Sequence, residues 1–176
     1  MKEVENHAYL IGYIVSNAFA IVLFILAATH PKFARFFFFL LFACAGWFNW
    51  KTALQSPADY LNFSGGSLNI YSSFISGWFS QNILLVIGII ASCQILIAVS
   101  LLLKSYIYKT GVIGAILFLV AIMPLGIASA FPATLIMACA MVLLLKGKHD
   151  YLWKDHEKVI EGFNKNEKPL SITSHS

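Results

Sequence analysis

The chain has 176 residues, 59% hydrophobic and 11% charged, with 12 Lys/Arg against 8 Asp/Glu and a formal net charge of +4. About a quarter of the residues of a soluble protein are charged, so this composition excludes an ordinary water-soluble fold and points to a single all-α, polytopic membrane domain. Nor is the positive balance a nucleic-acid signal, because ten of the twelve basic residues sit at the ends of apolar runs or in the C-terminal tail, where they read as topology determinants.

The first apolar run, about residues 9–29, is long enough to cross the hydrocarbon layer of about 30 Å. A cleaved signal peptide is the rival reading. It is weakened because Lys2 stands against Glu3 and Glu5, so a positive leading segment is missing. His30-Pro31-Lys32 predicts a tight turn, with proline pre-setting the next helix. The second run, about 33–50, is rich in Phe and Leu, with Arg35 near one end and Trp47 and Trp50 at the other, a placement that suits two membrane interfaces. Residues 51–81 form the one long polar connection. Within it Ile70, Phe74 and Trp78 recur every four residues and predict a short helix lying on the membrane.

The third span is expected at about 82–103. Gly88, Ala91, Gln94 and Ala98 fall within an arc of about 120° and make a small-residue face for a neighbouring helix, while Cys93 points away. Residues 111–145 carry no charge, yet a single helix of that length would measure about 52 Å. Pro124-Leu125-Gly126 and Phe131-Pro132 divide the stretch into spans at about 110–125 and 131–145. Residues 1–147 thus form a transmembrane bundle of five spans with short interfacial helices. The tail, 148–176, is expected to be amphipathic to about 163 and disordered beyond.

Charge asymmetry favours this division. With five spans Lys32, Arg35, Lys104, Lys109 and every basic residue from Lys146 onward share one side, which predicts an inner-membrane protein with its N-terminus outside and its C-terminus cytoplasmic.

Chemistry-bearing residues are sparse. Cys44, Cys93 and Cys139 lie one to a run without a CxxC pair and read as small hydrophobes. No histidine falls within a span, and His149 and His156 lack further ligands beside them, so neither haem nor another metal is expected. The spans lack a titratable relay, which argues against a proton-coupled transporter. Asn62-Phe63-Ser64 matches a glycosylation acceptor, a pattern too common to carry weight. Asn17 and Gln94 are the strongest polar groups at membrane depth, where amides either tie helices together or contact a bound lipid or quinone. Trp47, Asn49, Trp50, Tyr60 and Trp78 gather outside. They read as an aromatic belt or, if the 51–81 loop folds over the helix ends, as a pocket. The candidate ligand site, for a lipid or quinone, is therefore Trp47, Asn49, Tyr60, Trp78 and Gln94, with no catalytic or metal-binding residue.

A helix ending Ala43-Cys44-Ala45-Gly46-Trp47-Phe48-Asn49, the loop Ser56-Pro57-Ala58-Asp59-Tyr60-Leu61, the aromatic segment from Tyr71 to Phe79, and Gly88 and Gln94 ahead of Leu101-Leu102-Leu103-Lys104 resemble the bacterial DoxX-like membrane proteins over roughly residues 33–147. The resemblance implies a compact four-helix membrane bundle, here with an additional N-terminal span. Some relatives act as quinone-linked subunits of thiosulfate oxidation. Two functional expectations stand. One is a non-catalytic bundle that binds membrane lipid, a protein partner or a second copy of itself. The other is the membrane subunit of a quinone-linked oxidoreductase complex.

Overall fold

The computed structural model of the chain describes residues 2–66 and 73–147, and the tail from residue 148, with its expected amphipathic helix, lies outside them. Every element among the described residues is helical. Among the described residues five long α-helices follow in chain order: α1 (Lys2–Thr29), α2 (Pro31–Gln55), α3 (Ile83–Leu102), α4 (Ser105–Ile122) and α5 (Ala133–Lys146). Four segments are long and apolar enough to cross a membrane, namely Leu10–Thr29, Pro31–Gln55, Ile83–Leu102 and Ser105–Gly126, and Ala133–Lys146 is a shorter apolar helix. Such runs become helices because hydrocarbon offers the backbone no partner, and a helix satisfies its own N–H and C=O groups.

Each helix packs against the next, and α1 also packs against α5, so the five close into a ring. The N-terminal helix thus fills the gap between α2 and α5. The main core runs through all five helices, from Leu23 on α1 through Phe38 and Phe42, Leu101 and Tyr108 to Met141 and Leu144. A second cluster, Ala53, Tyr60, Ile75, Phe79, Ile83 and Ile87, sits where the long connection meets the bundle.

The phase expected for α3 is found. Gly88, Ala91, Gln94 and Ala98 are buried, and Cys93 is exposed. A Cβ on Gly88 would lie 3.1 Å from the Trp50 ring of α2, and one on Gly46 would lie 2.9 Å from the Ala91 carbonyl, so the α2–α3 contact depends on missing side chains.

Arg35 lies at the expected end of α2, but it is turned into the bundle rather than outward. It is 3% exposed, its planar guanidinium lies over Tyr108 with Cζ 4.1 Å from the ring centroid, and its nitrogens donate to the carbonyls of Leu101 (3.2 and 2.8 Å) and Leu103 (2.8 Å). The last carbonyls of a helix have no partner within it, and a cation there also complements the helix dipole. Tyr108 treats α5 in the same way, donating from its hydroxyl to the Leu144 carbonyl at 3.0 Å. These ties put the starts of α2 and α4 and the ends of α3 and α5 at one end of the ring, the end that carries Lys32, Lys104, Lys109 and Lys146.

The connections at the opposite end are largely helical. Helix α2 continues past the expected boundary to Gln55, and a tight helical segment, Pro57–Gly66, follows. Phe74, just before the segment Ile75–Phe79, and Trp78 within it are exposed, with ring centroids 6.1 Å apart, as a helix on a membrane surface would place them, while Ile70 lies outside the described residues. Ile75 and Phe79 form a buried opposite face that alternation at four residues did not reveal. Between α4 and α5 the segment Met123–Ser129 turns at Gly126, where φ is 62° and ψ is −126°, a conformation open to glycine because it lacks a Cβ. Pro57–Gly66 packs against this segment and closes that end of the ring.

Candidate functional site

The site is best built from Asn49. It stands in α2 fourteen residues beyond Arg35, about 21 Å along the helix axis. Because α2 and α3 run antiparallel at close range, its side chain meets Gln94 of α3, and Asn49 Nδ2 donates to Gln94 Oε1 at 2.7 Å. From the other side Tyr60, carried back over the bundle by Pro57–Gly66, donates its hydroxyl to Asn49 Oδ1 at 2.9 Å, with the Asn49 carbonyl 3.2 Å away. Burial pushes the Tyr60 phenol above the usual tyrosine range. A hydrogen bond from the Thr52 side chain pulls the other way, and the Asp59 carboxylate adds to the rise. The phenol is accordingly protonated at neutral pH and acts as a donor.

This relay forms part of the wall of a cavity of about 640 Å³. Small-molecule sites typically fall between about 300 and 1,000 Å³, with apolar walls and a few placed polar groups. All helices but α1 contribute: Phe42 and Ala45 from α2, Ile87 and Ile90 from α3, Phe118 and Ile122 from α4, and Met137 from α5. Ile75 and Phe79 close one side, and Leu125 contributes from the α4–α5 connection. Among the lining residues Phe74 and Ala121 are exposed, which places the opening between the Ile75–Phe79 segment and the end of α4.

Two buried polar groups of the wall have bonding capacity left over. Gln94 is 3% exposed and makes no hydrogen bond among the described residues other than the one to Oε1. Its Nε2 amide is therefore left without an acceptor. Thr134, 2% exposed in the first turn of α5, has an Oγ1 with no partner. A helical threonine ordinarily bonds back to the carbonyl four residues earlier. Here that residue is Ala130, whose φ of 56° takes it out of the helix.

Of the residues expected to form the site, the structure brings Asn49, Tyr60 and Gln94 into one hydrogen-bonded chain on the cavity wall. Trp47 and Trp78 do not join them; they are 71% and 55% exposed and point away from the bundle. Trp50 packs on Gly88 instead. Asn17, the other amide at depth, donates to the Tyr13 carbonyl of its own helix at 2.9 Å rather than to a neighbouring helix, and its Oδ1 is buried without a partner. Thr134 is the site residue that the sequence did not mark. No family model, curated protein or solved structure matches the chain. The assignment of a role therefore rests on the geometry. Among the described lining residues Tyr60 carries the one titratable side chain, and these residues include neither a nucleophile beside a base nor a pair of carboxylates.

Proposed function

We propose that the chain is an integral inner-membrane protein that crosses the bilayer five times and binds a lipid-like molecule without transforming it. The observation that carries this reading is the apolar cavity with a fixed amide and phenol relay on its wall. A cavity of this kind suits an amphiphile whose hydrocarbon part fills the volume and whose polar end is oriented by a few groups. Filling the mouth with Ala121→Trp is expected to abolish retention of that amphiphile while leaving the protein folded, because Ala121 is exposed and a large side chain there enters open space. Mass spectrometry of lipids co-purified in mild detergent reads the result. Equal lipid occupancy in wild type and variant rejects the cavity as the binding site.

The proposed orientation puts the N-terminus outside and the C-terminus in the cytoplasm, in keeping with Lys32, Lys104, Lys109 and Lys146 at one end of the ring. Single cysteines at Ser64 and Ser171, in a chain lacking the native three, are then expected to label from opposite faces of the membrane. Labelling of both from one face rejects the five-span topology.

A membrane subunit of a quinone-linked complex of DoxX-like type would use the same cavity, since a quinone with an apolar tail is itself such an amphiphile. Redox subunits that co-purify with the protein would favour that second reading.

A further inference from the structure

The direction of the relay restricts what the cavity can hold. The Tyr60 phenol donates to Asn49 Oδ1, which leaves Asn49 Nδ2 to donate to Gln94 Oε1, which in turn leaves Gln94 with its Nε2 protons and nothing to receive them. At the cavity wall the relay thus ends in a donor. Unmet N–H groups in an apolar enclosure cost about 1–3 kcal/mol, so an occupant that supplies an acceptor oxygen gains over one that does not. Thr134 Oγ1, from the α5 wall of the same cavity, is buried without a partner. Around both the wall is mostly hydrocarbon.

Building on the reading of the cavity as a lipid-ligand site, we propose that its occupant is a carbonyl-bearing amphiphile, whose carbonyl oxygen accepts from Gln94 Nε2 and whose polar end also meets the Thr134 hydroxyl. An acyl ester and a tailed quinone share this chemistry. A plain hydrocarbon fills the volume and leaves the donor unmet.

The test compares three probes by the rise each produces in the unfolding midpoint of the purified full chain in detergent, since a ligand that binds the native state stabilises it by mass action. Methyl laurate and decylbenzoquinone carry a carbonyl and tridecane does not. At least one carbonyl probe is expected to bind wild type about tenfold more tightly than tridecane, the factor of a single hydrogen bond of about 1.4 kcal/mol. Which of the two responds identifies the source of the carbonyl. In Gln94→Leu that advantage is expected to vanish while tridecane still binds. Thr134→Val keeps the volume, breaks no bond within the protein, and is expected to weaken the carbonyl probe severalfold. It decides the matter if Gln94→Leu fails to fold. Equal binding of carbonyl probes and tridecane by wild type, or an undiminished carbonyl advantage in the variants, overturns the carbonyl assignment and leaves the cavity reading standing. No shift with any probe rejects the cavity reading itself.

Discussion

Replacing Arg35 with methionine is expected to cost the protein about 3 kcal/mol of stability, because two carbonyls at the end of α3, that of Leu101 buried and that of Leu103 half-buried, lose a charged donor. Methionine keeps much of the apolar stem, so the loss reports the guanidinium rather than a void. Arg35→Lys is expected to recover less than half of it. An ammonium is a compact charge on a flexible stem, whereas the guanidinium reaches the Leu101 and Leu103 carbonyls together while its plane lies over Tyr108. Denaturation in graded sodium dodecyl sulfate measures both. Wild-type stability in Arg35→Met would mean that other donors take over the α3 terminus.

The second large effect is expected at the α3–α4 contact. A Cβ on Gly111 would overlap the Ser100 hydroxyl and come within 2.5 Å of the Ser100 Cβ, so Gly111→Ala forces the two helices apart at about 2 kcal/mol, the usual scale of overpacking. The clash lies between two named side chains and is therefore reversible in kind. Ser100→Gly combined with Gly111→Ala is expected to restore most of the loss, short by roughly the 0.5–1 kcal/mol that a glycine costs within a helix. A double-mutant cycle in the same denaturant reads the coupling. Strict additivity of the two substitutions would show that the helices do not meet there.

How much of this was legible in the sequence depended on whether a signal was local. The helices were, since long apolar runs can satisfy their backbone in few other ways, and so was the break near Pro124 and Gly126. The face of α3 could be read because Gly88, Ala91, Gln94 and Ala98 share one side at helical spacing. For Arg35 the helix end is legible in the sequence and the burial is not, because a cation near a helix start reads as an outward-facing interface residue. Its burial depends on the end of α3, which arrives 66 residues later. Asn49, Tyr60 and Gln94 could be nominated by type and depth, but not their pairing, which needs the antiparallel register of α2 and α3 and the reversal of Pro57–Gly66. Thr134 stayed hidden because a threonine in an apolar helix normally serves itself, and what denies it that bond is the backbone of Ala130.

Helix α5 has a consequence for the surrounding bilayer. Its 14 residues span about 21 Å, roughly 9 Å less than a typical hydrocarbon layer. Tyr108 holds its C-terminal turn at the basic end, so the deficit falls at its start, beside Met123–Ser129. Hydrophobic mismatch costs fractions of a kcal/mol per Å, and in the proposed five-span topology the lipids along α5 would meet it by thinning or the ring would meet it by tilting. The mouth of the cavity opens at that same end of the ring. Under the proposed reading of the cavity, local bilayer thickness, and with it acyl-chain length, would act on the corner by which the proposed ligand enters.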